Sequence, residues 1–382
     1  MSGLYVHVPF CIKRCIYCDF YSNTRMEYKD DYISALIREM EMRRDYLCGE
    51  PVNTVYFGGG TPSQLQIYDF ERLFDAMYRL FPFRQDPEIT IEANPDDLSE
   101  EYVFSLTKLP FNRISVGIQS FRDDDLRLLN RRHTATDAMN VISRCKDAGF
   151  DNISVDLIYG LPGQTAGGWS DNLEKAITLD VSHISAYHLT YEDGTLIDEM
   201  KKRGDIQPVE DEVCESFFYM LIDKLADAGF IHYEISNFAK ISPSHPNGRI
   251  SIHNSSYWKG VYYMGVGPSA HSYNGDSRSW NVSSISEYIR AINEKSEIPH
   301  ETEYPDEREK YNDFMITRLR TRWGVSLDEL RKEFGEERMC WFLKKSEPFL
   351  CSKRLKIEGG YVKVTQSGFF VSDMIMRELI VI

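Results

Sequence analysis

Tyr5-Val6-His7-Val8-Pro9-Phe10-Cys11-Ile12-Lys13-Arg14-Cys15-Ile16-Tyr17-Cys18 is an apolar β-type run leading straight into a C-x3-C-x2-C loop. The chain has eight cysteines, and three of them fall in this loop. The other five (Cys48, Cys145, Cys214, Cys340, Cys351) are scattered and read as ordinary buried thiols. The N-terminus lacks the basic and long apolar regions of a signal peptide, and no run of eighteen apolar residues reads as a membrane span. A cytoplasmic, reducing setting is therefore expected, and disulfides are not. Three thiolates in one loop then need another purpose. A zinc site would require a fourth protein ligand, and His7, the only near candidate, lies within the strand. A [4Fe-4S] cluster can use three thiolates and leave one iron open. Cys11, Cys15 and Cys18 are the candidate metal ligands, with structural zinc or a chance grouping as the alternative.

Outward from this loop, β-type runs alternate with amphipathic helical stretches. Strands are expected at 4–8, 54–57, 88–92, 113–118, 152–158, 183–189 and 232–235. Helices are expected at 30–47, 64–80 and 211–228; in the first, Ile33, Leu36, Ile37 and Met40 recur at helical spacing. The alternation predicts an α/β fold: a parallel sheet with helices outside, closing into a partial (β/α)6 TIM-like barrel. Function is then expected at the C-terminal ends of the strands. Apolar residues make up 42% of the 382 and charged residues 27%, enough for a large core in a soluble globular chain. Lys plus Arg number 44 against 59 Asp plus Glu, a net −15, which argues against nucleic acid as the main partner.

The pattern changes near residue 297, so the chain divides into a barrel over 1–296 and a second domain over 297–382. Residues 297–305 are polar, contain Pro299 and Pro305, and read as a linker. Helices follow at 309–322, 326–334 and 338–345, then a hairpin of 355–357 and 361–364 around Glu358-Gly359-Gly360. Thr365 is a candidate cap for a last helix over 368–379. This order is winged-helix-like. Residues 301–382 carry 15 basic and 15 acidic side chains, so a packing or substrate-covering role is expected rather than DNA reading.

Polar and glycine residues sit at the ends of successive strands. Gly58-Gly59-Gly60-Thr61 follows the second strand, and its glycines let backbone approach a ligand. Glu92 ends the third strand, Gln119 the fourth and Asp156 the fifth, with Arg131 shortly after the fourth. Any one of them is equally well a satisfied structural group; the ordered series is what points to one mouth. Together with the cysteine spacing and Tyr17, these residues resemble the radical S-adenosylmethionine (SAM) superfamily over about residues 4–290. The resemblance implies a [4Fe-4S] cluster with SAM on its open iron. It assigns SAM contacts to Tyr5, Tyr17, Gly59, Gly60, Thr61, Glu92, Gln119, Arg131 and Asp156. Glu92 and Asp156 would bond ribose hydroxyls, and Arg131 would pair the carboxylate.

The segments 5–11, 57–62, 116–121 and 156–165, with the C-terminal module, resemble the family of oxygen-independent coproporphyrinogen III dehydrogenase, which includes the HemW heme-chaperone branch. Three features favour that branch. Asp19-Phe20 follows Cys18, where the dehydrogenase has a further cysteine two residues on. Only four residues precede Tyr5, where the dehydrogenase has a sizeable segment. His253-Asn254-Ser255-Ser256-Tyr257-Trp258 matches an H-N-x-x-Y-W string of the branch. Imidazole can ligate heme iron, and Tyr257 and Trp258 offer flat apolar surface. His253 is thus the candidate heme ligand, although on the residues alone it could simply fix a loop. His188, His232 and His271 read as structural, with His271 the best alternative. The resemblance implies a protein that binds heme and transfers it to an acceptor protein. The alternative is the dehydrogenase itself, oxidatively decarboxylating propionates to give protoporphyrinogen IX. A radical enzyme acting on RNA is disfavoured by charge. A homodimer is compatible with the sequence.

Overall fold

Period-two alternation decides which face each strand buries. In the computed structural model, which describes residues 1–382, Leu4, Val6 and Val8, Val55 and Phe57, Ile89 and Ile91, and Ile114 and Val116 all join one apolar core. That core lies under the helices. The residues between them, such as Tyr5, Tyr56, Glu92 and Ser115, turn to the inner face. The strands are β1 (Ser2–Val8), β2 (Val52–Gly59), β3 (Phe83–Ala93), β4 (Arg113–Gln119), β5 (Ile153–Tyr159) and β6 (His183–His188). They pair in sequence order, all parallel. Crossovers of this kind need helices. These are α1 (Lys29–Met42), α2 (Ile67–Leu80), α3 (Glu100–Leu106), α4 (Asp123–Leu128), α5 (Ala135–Asp147), α6 (Ala166–Thr178), α7 (Leu196–Arg203) and α8 (Asp211–Asp227). The expected six-unit partial barrel is present.

Two departures occur at the edges. The run expected at 232–235 forms β7 (Phe230–Glu234), but it pairs antiparallel with β8 (Asn237–Lys240), which itself pairs antiparallel with β6. A tight turn with only Ile235 and Ser236 between the strands joins β7 to β8, so β8 is inserted between β6 and β7. Beyond α9 (Ile252–Trp258), β9 (Tyr262–Val266) returns to pair parallel with β1. Then β10 (His271–Tyr273) and β11 (Arg278–Asn281) extend that side antiparallel, with α10 (Ile285–Arg290) following. The stretch read as a linker contains β12 (His300–Glu303), paired antiparallel with β11. Its four residues are all exposed, so no apolar alternation marked it as a strand. The result is an open sheet of twelve strands with β12 and β7 as its free edges.

The C-terminal unit spans this opening. Asp306 caps α11 (Glu307–Leu319) through a capping box with Glu309. At its far end, Ile235 N donates to Arg320 O (3.2 Å) and Arg322 N donates to Tyr233 O (3.0 Å). The element that leaves β12 thus ends fastened to β7. The two helices expected next form α12 (Leu327–Cys351), broken at Gly335, whose φ of +83° is left-handed. The hairpin expected at 355–364 is β14 (Leu355–Glu358) and β15 (Tyr361–Val364), joined by β13 (Val325–Ser326). Then come α13 (Gln366–Phe369) and α14 (Ser372–Leu379). Thr365 precedes α13 but makes no cap bond; its hydroxyl donates to Lys353 O (2.7 Å) instead. No helix is long and apolar enough to cross a membrane.

Candidate functional site

The loop after β1 is held from several sides. Ile16 packs with Leu129, Ile158, Leu161, Leu189 and Ile197 in a small apolar cluster, and its carbonyl accepts from Ile197 N (3.0 Å). Asn130, left-handed at φ +62°, donates to Arg14 O (2.9 Å). Within this frame Cys11 Sγ lies 3.3 Å from Thr61 Oγ1, and Arg131 Nη1 donates to Cys15 Sγ at 3.2 Å. Burial pushes the Cys18 thiol up to about 11, and the neighbouring Cys15 and Cys11 push it the same way. Cys11 is raised by burial, with Cys15 adding to it. The three sulfurs are therefore electrostatic neighbours. No three His, Cys, Asp or Glu side chains, Cys11, Cys15 and Cys18 included, converge on a single metal-ion position, so the three thiols share a loop without forming a closed single-ion site. Three thiols without a fourth protein ligand fit a cluster with one open iron better than a closed zinc tetrahedron.

The glycine loop presses against the start of this loop. Gly60 N donates to Val8 O (2.8 Å), and a Cβ at Gly60 would lie 2.8 Å from that oxygen and 2.9 Å from Phe10 O. Those atoms are backbone and cannot swing away. At Gly59, φ is +105° and a Cβ would meet the His7 ring at 2.6 Å. Both glycines are thus required by close approach, and they bring bare backbone beside the cysteines.

The inner face carries the remaining polar residues. Tyr56 donates its hydroxyl to Glu92 Oε1 (2.6 Å), and Gly59 N donates to Oε2 (3.3 Å). Burial nevertheless pushes the Glu92 carboxyl up to about 7, against the Tyr56 bond and helped by Asp156 nearby. Asp156 is also raised, chiefly by burial, and accepts from Ser115 Oγ at 3.3 Å. Arg131 Nη2 donates to Asn94 Oδ1 and Gly117 O, both at 2.6 Å. Gln119 sits at φ +70°, an uncommon conformation outside glycine that re-aims the end of β4. Tyr17 lies beside Cys15 and Arg131, its hydroxyl pKa raised by burial and then by Cys15. Tyr5, raised by burial and then by Glu92, completes the inner face at β1. Thus Tyr5, Tyr17, Gly59, Gly60, Thr61, Glu92, Gln119, Arg131 and Asp156 line the inner face or border the cysteine loop.

Sequence reasoning missed three side chains here. Asn94 joins Arg131 to Thr61 (Nδ2 to Oγ1, 3.3 Å); its signal was its place two residues after Glu92, on the same strand face. Tyr56, two before Gly58, carried the same signal. Arg113 is 1% exposed on the inner face of β4, with Nε and Nη1 unpartnered.

His253, the candidate heme ligand, lies in the floor of the sheet. It is 2% exposed. Its Nδ1 pairs with Thr54 Oγ1 and its Nε2 with Tyr257 Oη, both at 2.8 Å, so neither nitrogen is free. Burial, then the Arg113 charge, lowers its imidazole to about 3. It fills the sheet floor under the rings of Tyr5 and Tyr56. Tyr257, its bonding partner one helical turn on, and Trp258 reach a cavity of about 1100 Å³ lined also by Tyr262, Tyr263, Phe314 and Phe334. Asp19, Phe20 and Tyr21, directly after Cys18, form another wall. His7 and His271 line it too, whereas His232 is stacked on Phe238 (4.4 Å) and His188 on Tyr159 (5.3 Å).

Residues 5–176 match the Radical SAM superfamily and residues 306–371 the HemN C-terminal domain. "Heme chaperone HemW" of Bacillus subtilis (strain 168) is 35% identical over 338 residues, 88% of this chain and 87% of that protein. "Heme chaperone HemW" of Lactococcus lactis (strain IL1403) is 32% identical over 382 residues, 99% of this chain and 97% of that one. The solved coproporphyrinogen III oxidase (HemN) of Escherichia coli superposes with a TM-score of 0.84 at 23% identity, covering 99% and 89% of the two chains, a likeness of fold. Matched along nearly its whole length, the chain belongs to the HemW family of the radical SAM superfamily.

Proposed function

We propose that this protein binds heme in the cavity between the β9–β11 side of the sheet and the C-terminal unit, and passes it to an acceptor protein. The observation that carries this reading is the cavity itself. Its volume of about 1100 Å³ exceeds the ~300–1,000 Å³ of ordinary ligand pockets, and aromatic rings from both parts of the chain line it. The names of the full-length relatives support the same cargo. Asp19, Phe20 and Tyr21, directly after Cys18, form one wall, so cargo and cluster would be neighbours. Cys11, Cys15 and Cys18 would hold the [4Fe-4S] cluster. When bound, that cluster supplies the electron that cleaves the SAM sulfonium. Around it, Arg131 offers its cation to the SAM carboxylate, the Gly59–Gly60 backbone offers polar groups, and Glu92 and Asp156 accept from ribose hydroxyls. Residues 297–382 would serve as the cover of the cargo site.

The test is to reconstitute the cluster anaerobically and titrate heme while following the Soret band. In parallel, SAM and coproporphyrinogen III are supplied and product is assayed. Saturable heme binding without protoporphyrinogen is expected. Robust turnover to protoporphyrinogen would replace this reading with the dehydrogenase.

Glu92 gives a second expectation. Folding raises its pKa from an ordinary 4.5 to about 7, so the native state holds the proton more tightly. Its contribution to stability is therefore greatest below pH 4.5 and is lost as pH rises through about 7. SAM affinity should run the opposite way, increasing through the same window as the carboxylate ionises and becomes an acceptor. Glu92→Gln should flatten both profiles and weaken SAM binding at least tenfold at pH 8. A wild-type SAM affinity that is flat between pH 6 and 8 would remove Glu92 from the ribose site.

A further inference from the structure

We propose that His271, rather than the histidine of the H-N-x-x-Y-W string, supplies the axial ligand to the heme iron. This rests on the reading of the cavity as a heme site. Two histidines line that cavity. His7 is 3% exposed and both its nitrogens are engaged, Nδ1 with Tyr5 Oη at 3.2 Å and Nε2 with Tyr21 O at 2.9 Å. Freeing Nε2 would break the contact that ties the segment after the cysteines to β1, and freeing Nδ1 would strip the buried Tyr5 hydroxyl of its partner. His271 differs on each count. It is exposed, and neither ring nitrogen has a hydrogen-bond or ion-pair partner in the protein. Its backbone lies in a ladder, paired with Trp280 of β11. Its ring stacks on the Trp280 indole, with centroids 5.9 Å apart and planes at 29°. A strand and a flat neighbour thus fix the ring while leaving its nitrogen lone pair available to iron.

The surrounding charges suit the rest of the ligand. Arg278 and Arg318 line the cavity but are already paired, with Asp313 and Glu329 respectively. Lys259 and Lys310 also line it, and neither ammonium has a carboxylate partner; Lys259 lies over the Trp323 ring at 4.7 Å. Two unpaired cations and a free imidazole on an aromatic-walled cavity match two propionates and one iron. Ligation is a lone-pair donation from neutral imidazole to iron, with no change of oxidation state.

The experiment uses the full, cluster-loaded chain and ferric heme. His271→Gly should lose the wild-type histidine-ligated spectrum and bind heme at least tenfold more weakly. Free imidazole should then restore the wild-type spectrum in the variant by occupying the vacated space. Because the side chain is exposed, cluster iron content and melting temperature should match wild type, which separates ligation from folding. Lys259→Gln with Lys310→Gln should weaken heme binding while leaving the ligand spectrum unchanged. If His271→Gly keeps the wild-type spectrum and ignores imidazole, the ligand assignment is wrong while the heme site stands. If wild type itself fails to bind heme saturably, the cavity reading falls and the assignment with it.

Discussion

A chain carrying Cys15→Ala should fold normally and take up essentially no [4Fe-4S] cluster. Three thiolates are the entire protein donor set of the loop, since Thr61 and Arg131 touch sulfur without offering a ligand for iron. Two remaining thiolates leave two irons open, and such a cluster dissociates. The fold should survive because Cys15 is only partly buried and lies outside the apolar clusters that anchor the loop. Iron and sulfide per chain after anaerobic reconstitution should fall more than tenfold, with the far-UV spectrum unchanged. Cys48→Ala, at an exposed cysteine remote in sequence from the loop, should keep full iron. Undiminished cluster in Cys15→Ala would refute the three-cysteine site.

The second large effect lies away from the chemistry. Glu39 of α1 is completely buried. It accepts four hydrogen bonds: from Arg43 Nη1 (3.0 Å), Asn281 Nδ2 (2.8 Å), Gly267 N (2.9 Å) and the Tyr288 hydroxyl (2.6 Å). One carboxylate thereby ties the first helix to the β9–β11 side of the sheet and to α10. Removing one partner of a buried charge network costs about 3–5 kcal/mol, because the other members stay buried without their counter-charge. Glu39→Ala is expected to lose that much in denaturant unfolding, and Arg43→Met to lose a comparable amount, since the buried carboxylate keeps three neutral donors but no counter-charge. A loss below about 1 kcal/mol for Glu39→Ala would mean that water or rearrangement replaces the network.

These two residues also show what the sequence makes legible. The cysteines were readable because their spacing is local, eight residues in one loop. The strand-end series was readable because parallel strands with helical crossovers put their C-terminal ends on one side, so order along the chain maps to position in the mouth. Glu39 was not. It sits beside Met40 in an amphipathic helix, and its partners come 228, 242 and 249 residues later. Nothing local marks it as buried. Arg113 was hidden in the same way, reading as a polar flank of a strand. For β12, a run of exposed polar residues carries no periodic signal, and only its pairing with β11 makes it a strand. His253 is instructive. The string around it is local, yet only Tyr257 and Trp258 reach the cavity while His253, bonded to Tyr257 one turn on, stays in the floor, a division set by three-dimensional packing.

The helix that crosses from β12 to β7 has a mechanical consequence. An open sheet has two raw margins, and each is a template for pairing with another chain. Here a single segment, running from the 300–303 strand to the 320–322 backbone, is stapled to both. It acts as a tie-rod across the opening and couples the unfolding of the two parts. Melting should be one cooperative event rather than two. A cut within α11 would release both margins at once, so proteolytic nicking there would convert a curved, self-contained sheet into one prone to edge-to-edge aggregation.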